Sequence, residues 1–327
     1  MPQQSALEYL AHGQTPFFRL PSALSRPLPP GTRAVFLGVP FDGGSTYQPG
    51  ARFGPFHVRR VSALLQGWHP QLGLDVFERV LAVDGGNVVF PPFQAAAMRE
   101  RVEAEAGAVL EGGAIPFLVG GDHSIALPAL RAAVRRHGPV AVIHVDAHFD
   151  TSGAEVWGER YHHGTPFRHA LDEALILPGQ LHQVGVRGPR GGDHADSHHD
   201  GLVYTSADVG DRGVEPLARE IRAAVADRPF YLSFDVDAVD PAFAPGTGTP
   251  VPGGLTSREA LALVRSLAGL RLVGMDVVEV CPALDHADIT CLLAAHLLFE
   301  GLALVAGAVS RLHDASAVPE PARVQGH

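Results

Sequence analysis

Three side chains in the stretch VAVIHVDAHFD, residues 140–150, could hold a metal ion: Asp146, His148 and Asp150. They follow the apolar run 140–145 at a spacing of two. An extended backbone would send all three toward one point just past the C-terminal end of a strand. Two carboxylates and an imidazole there make half of a metal site. A solvated polar strand end is the plainer reading of the same string, and two other runs weigh against it. IPFLV leads into Gly120-Gly121-Asp122-His123-Ser124, where the glycines permit a tight turn and Asp122 or Ser124 can cap a helix. There His123 is offered at a strand end. FYLSF leads into Asp235 and Asp237, again two carboxylates two apart. Four aspartates and two histidines, with no thiolate, are too many for one structural zinc. Carboxylate oxygens mixed with imidazole suit manganese, and nickel is also compatible. Two ions about 3.5–4 Å apart, sharing carboxylates, lower the pKa of a water between them and so supply a nucleophile for hydrolysis.

The elements that must position these residues can be read from the apolar pattern. Candidate strands cover residues 34–39, 80–83, 115–119, 140–145, 183–186, 202–205, 230–234 and 271–277. Candidate helices cover 55–65, 93–111, 124–137, 216–226, 257–267 and 289–306. Near-continuous apolar strands alternating with helices predict a parallel sheet covered on both faces. In such sheets the site lies outside the carboxyl ends of the strands, where every motif above falls. The fold class expected is α/β, three layers α/β/α around an eight-stranded, mostly parallel sheet. A catalytic domain is expected over residues 33–312, preceded by a Pro-rich arm, 1–32, packed on a neighbouring subunit, and followed by a disordered tail, 313–327.

The whole chain excludes several function classes. Its 327 residues carry a net charge of -10, which argues against nucleic acid or an anionic membrane as a partner. Two cysteines, Cys281 and Cys291, make no disulfide framework and suit a reducing cytoplasm. The first residues lack the basic and apolar regions of a signal peptide. Residues 292–309 are interrupted by His296, Glu300 and two glycines, and are expected to be a buried helix rather than a membrane span. Nucleotide binding has no support, because no phosphate-binding glycine loop opens a helix after a strand.

GGDHS, DAHFD and SFDVDAVDPAFAPGTGTPVPGG, in that order, resemble the ureohydrolase family, which contains arginase, agmatinase and related guanidino hydrolases. GVPFDGGSTYQPGARFGP, HGTPFRHALDE and MDVVEVCPALDH agree, so the resemblance spans residues 34–312. It implies a binuclear manganese centre. One ion would take His123, Asp146, Asp150 and Asp235, the other Asp146, His148, Asp235 and Asp237, with Asp146 and Asp235 bridging. It further implies that Glu279 pairs with the guanidinium, that His163 rather than His162 moves the proton to the leaving amine, and that Asp150 orients the attacking hydroxide. The reaction implied is hydrolysis of a linear guanidino compound to urea and an amine, by a homotrimer or homohexamer.

The motifs are more similar to the agmatinase-like branch than to arginase, so agmatine, giving putrescine and urea, stands first. The alternative is a guanidino acid, as for guanidinobutyrase, guanidinopropionase or proclavaminate amidinohydrolase. Agmatine ends in an ammonium and would favour Glu155, Glu159 and Trp157; a guanidino acid would favour Arg160, Arg187 or Arg190. Leu284 and Val251 stand where agmatinases often have tyrosine and glutamate. A catalytically dead scaffold would be expected to lose ligands, and a mononuclear deacetylase would not need both His123 and Asp237.

Overall fold

The computed structural model describes residues 15–23, 27–188 and 201–316, with side chains through residue 308. Eight strands form one sheet: β1 Ala34–Val39, β2 Ala82–Asn87, β3 Ile115–Gly120, β4 Val140–Val145, β5 Ile176–Val186, β6 Val203–Thr205, β7 Pro229–Asp235 and β8 Arg271–Val278. Their spatial order is β2-β1-β3-β8-β7-β4-β5-β6, and every pair is parallel. All six residues of β1 and of β4 are buried, which is why these strands read as unbroken apolar runs rather than alternating ones.

Helices cover both faces. On one side α1 Gly54–Ser62, α6 Val214–Val225, α7 Ser257–Ser266 and α8 Ile289–Ser316 enclose a core that includes Val58, Leu217, Leu263 and Leu297. On the other, α2 Ala95–Glu111, α3 Ala126–His137 and α4 Pro166–Asp172 enclose Val102, Leu130 and Phe167. A short α5, Ser206–Arg212, links β6 to α6. Both α5 and α7 start at capping boxes, Thr205 with Asp208 and Thr256 with Glu259, each satisfying amides that the first turn leaves open. By length and composition α8 could cross a membrane, but most of its apolar stretch is buried inside the protein. Its Glu300 accepts from Arg265 and pairs with His69.

Several details differ from the sequence reading or add to it, β5 beginning at Ile176 and the helices α4 and α5 being unforeseen. β2 begins later than expected and runs through Gly85 and Gly86. There glycine serves a close approach rather than a turn, since a Cβ on Gly85 would lie 2.7 Å from Leu37 and 2.8 Å from Val35. The described part of the N-terminal segment packs on this chain's own sheet. Phe17 and Phe18 are fully buried, and their amides donate to Asp84 and Ser62. Finally, α8 extends past residue 312, where the tail was expected to begin.

The centre of the sheet matters most for chemistry. β3, β8, β7 and β4 are neighbours, so the loops after their C-terminal ends surround one spot.

Candidate active site

His123, Asp146, His148, Asp150, Asp235 and Asp237 meet at that spot. His123 Nδ1 lies 3.1 Å from Asp146 Oδ2, 2.9 Å from Asp150 Oδ2 and 3.3 Å from Asp235 Oδ2. His148 Nδ1 lies 3.0 Å from Asp237 Oδ2 and 3.3 Å from Asp146 Oδ1. Asp146 therefore belongs to two clusters of donor atoms, one oxygen facing each.

The convergence does not arise from extended backbone, as the spacing suggested. β4 ends at Val145, and Asp150 sits in the left-handed region at φ 52°. Asp235 is the last residue of β7, whereas Asp237 lies in a 3-10 turn, Val236–Ala238, and accepts the Ala147 amide at 3.0 Å. Turns, not a strand period, sort the side chains. A bulky residue in the left-handed region costs energy and persists only where its surroundings hold it. Glu279, at φ 63°, is a second such residue in the same site.

The donor set fits a divalent cation. His123 Nδ1 is fully buried and makes no hydrogen bond, although three carboxylate oxygens stand around it. These atoms aim at a common point rather than at one another. Burial and the neighbouring charges of Asp237 and Asp146 hold the Asp235 carboxyl well above its ordinary pKa. Burial, with Asp146 beside it, pushes Asp237 up to about 6. Asp146 goes the other way: burial opposes its charge, but His144, His123 and His148 outweigh that and hold it well below the carboxylate range. Buried carboxylates crowded in this way are stabilised by pairing or by coordinating a metal.

A supporting layer stands behind the donors, and the sequence reading missed it. His144 Nε2 lies 2.8 Å from Asp146 Oδ2. Its other nitrogen faces Gln183 Nε2 at 2.8 Å, and the same amide nitrogen donates to the Phe149 carbonyl. With Gln183 donating to Nδ1, the proton of His144 belongs on Nε2, aimed at Asp146. His123 Nε2 lies 2.8 Å from Ser233 Oγ, which donates to Asp276 Oδ1 at 2.7 Å, while Tyr231 donates to Asp276 Oδ2. Such partners fix ring orientation and ligand basicity. The signal for His144 was present: it shares the spacing of two with Asp146, His148 and Asp150, but sits inside the apolar run.

Beside the cluster, Glu279 Oε1 accepts the His123 amide at 2.9 Å and faces His163 Nδ1 at 3.0 Å. Oε2 has no hydrogen-bond partner among the described residues. Thr46 places its hydroxyl 2.8 Å and its amide 3.3 Å from His163 Nε2. Burial disfavours the imidazolium of His163, but the bond to and charge of Glu279 outweigh it and raise its pKa to about 9. Gly44 ties the loop down: its amide donates to Asp122 Oδ2 at 2.6 Å and its carbonyl accepts the His163 amide at 3.1 Å. A Cβ there would lie 3.0 Å from Asp122 and 3.3 Å from the His162 backbone, so the approach favours glycine. His162 accepts the Gly164 amide and does not line the cleft.

A cleft of about 300 Å³ opens over the cluster, lined by Asp150, Asp235, Asp237, His148 and His163 at its floor and by Thr46, Ser152, Trp157, Arg187, Thr249 and Val251 higher up. Of the candidates for the substrate tail, Trp157 and Arg187 reach this lining. Glu155, Glu159 and Arg160 lie in the exposed stretch 154–160 without lining it. Arg190 lies outside the described residues. As a free fork for a carboxylate, Arg187 is a correction. Its Nε donates to the Val251 carbonyl, its Nη1 to those of Gly185 and Ala238, and its Nη2 to those of Asp237 and Val251. It clasps the backbone of Gly185, of the turn at Asp237 and Ala238, and of Val251, and contributes charge rather than open donors.

The sequence model of the arginase family matches residues 32–303. Proclavaminate amidinohydrolase of Streptomyces clavuligerus is 46% identical over 86% of this chain and 90% of that protein. Its structure superposes with a TM-score of 0.85, covering 90% of this chain and 98% of that one. An agmatinase of Serratia proteamaculans is 44% identical over 83% of this chain and 87% of its own length. A crystal structure of Trypanosoma cruzi formiminoglutamase with Mn2+ is 25% identical, with a TM-score of 0.79 over 90% of this chain and 99% of that one.

Proposed function

The chain belongs to the arginase family and is a hydrolase of C–N bonds in linear amidines, and on that premise we propose that it releases urea from a guanidino acid. The upper wall of the cleft carries this reading. Among the described residues it offers no carboxylate to an ammonium tail, and it presents Val251 and the cationic Arg187. A carboxylate tail gains from that charge, whereas the ammonium of agmatine is repelled by it. Agmatine is the second reading, and what favours it is the aromatic face of Trp157 in the same wall and the agmatinase at 44% identity.

His123, Asp146, Asp150 and Asp235 would hold one Mn2+, and Asp146, His148, Asp235 and Asp237 the other. Bound there, such a pair supplies Lewis acidity and water activation at neutral pH. The protein's own groups do the rest. Glu279 Oε2 receives guanidinium N–H groups in a charge-assisted bond, while Oε1 stays on His163 and the His123 amide. That places the guanidino carbon beside Asp150, which orients the attacking water and takes up its proton. Glu279 also fixes the proton on His163 Nδ1, so Nε2 is the nitrogen that donates to the departing amine.

Urea release by manganese-loaded protein from agmatine, arginine, 3-guanidinopropionate, 4-guanidinobutyrate and a β-lactam guanidino acid tests this. Preference for one of the acids is the expected result. Preference for agmatine would reverse the tail reading, and urea from none would overturn the reaction itself.

A further inference from the structure

His163 must be recharged after each turnover, and its surroundings provide for that on one side only. Nδ1 faces Glu279. Around Nε2 stand two groups of Thr46, the hydroxyl at 2.8 Å and the amide at 3.3 Å. A hydroxyl can accept from Nε2–H and can equally donate to a bare Nε2, whereas an amide can only donate. Together they satisfy the nitrogen in both of the states a proton carrier visits. Thr46 is itself exposed, on the lining of the cleft, so the residue that touches His163 also stands on the solvent side.

We propose that Thr46 is a positioning and relay residue that returns protons from solvent to His163 Nε2. The proposal rests on the guanidino-hydrolase reading above. In the transfer step the Nε2–H bond breaks and an N–H bond forms on the leaving nitrogen, which keeps the electron pair of the broken C–N bond. That nitrogen carries the substrate tail and so lies on the rim side, where Nε2 points. In the recharging step Thr46 Oγ1 gives its proton to bare Nε2 and takes one from bulk water. Urea keeps neither proton of the water: one leaves through Asp150 and the other as the carbonyl forms, and together they offset the proton that recharges His163 and the one that completes the ammonium product, so the cycle balances. The ring does not flip, and its bond to Glu279 persists throughout.

The test compares wild type, Thr46→Val and Thr46→Ser, loaded with manganese, on the best substrate of the panel. Thr46→Val removes the hydroxyl at nearly constant shape. Expected is a fall in kcat of up to about 100-fold, within the range general acid–base groups contribute, with KM little changed. Added imidazole buffer should restore much of the loss, and Thr46→Ser should retain most of the rate. Because buffer rescue reports proton delivery, a merely structural threonine would not produce it. Independently of activity, the 15N resonance of His163 Nε2 in metal-free protein should move in Thr46→Val and stay in Thr46→Ser. An unmoved resonance overturns the contact. Urea release with an unchanged Thr46→Val kcat overturns the relay alone, and no urea from wild type overturns the parent reading together with it.

Discussion

The floor and the upper wall of the cleft are built on opposite plans. At the floor three of the donors are held by a second group: His123 by Ser233 and Asp276, Asp146 by His144 and Gln183, Asp237 by the Ala147 amide. His123 is 0% exposed. Higher up, Trp157 is 63% exposed, and residues 154–160 form no helix or strand. Rigid, charge-crowded floors suit a fixed reaction, and open walls suit a choice of substrate. On the proposed reading, catalysis and specificity fall on separate parts of one cleft, so each should fail separately.

The floor breaks most completely. Asp235→Asn or His123→Ala should lose bound manganese, counted by elemental analysis, and all urea release, while unchanged metal content would remove these residues from the ligand set. His163→Ala should keep its metal and lower kcat by about 10²–10⁴-fold, with a wild-type rate sinking the assignment. The same histidine should set an alkaline limb of the pH–rate profile. Its folded pKa is raised, so the protonated form and the stability it brings persist below its ordinary value and are lost as pH rises through about 9. Glu279→Gln should move that limb downward in a pH–rate profile, and an unmoved limb would mean that another group titrates there. One layer back, Ser233→Ala should weaken manganese affinity by about 10–100-fold in a chelator competition assay. Equal affinity would show that His123 needs no support from behind. The wall gives the smallest effect. Val251→Glu adds a partly exposed carboxylate, worth about 0.2–1 kcal/mol to an ammonium tail. It should shift the ratio of agmatine to guanidino-acid kcat/KM severalfold at unchanged metal content. A loss of metal there would collapse the division between floor and wall.

The same division governs what the sequence could reveal. Strand-end donors such as His123, Asp146 and Asp235 stand out because polar side chains interrupt apolar runs, and the parallel sheet that gathers them follows from those runs. The supporting groups are camouflaged. His144 and Ser233 lie inside buried strands, where one polar residue reads as noise, and Asp276 is separated from Ser233 by 43 positions. Thr46 belongs to a loop whose fold depends on Gly44 meeting Asp122, a contact no local pattern encodes. Arg187 shows the opposite error: its type fits a carboxylate, but its donors are taken by carbonyls that only the folded chain brings near. The expected donors do meet, but turns rather than strand pleating deliver Asp150 and Asp237.

That same arginine limits how the enzyme can change. Its guanidinium joins the carbonyls of Asp237 and Ala238, under the floor, to that of Val251, in the wall. It acts as a post between two panels. A lineage seeking a new substrate cannot spend this residue on recognition without loosening the turn that carries Asp237. Adaptation is therefore channelled to Val251, which hangs from the post, and to exposed Trp157 beside it in the lining, where side chains can be exchanged while the foundation stays in place.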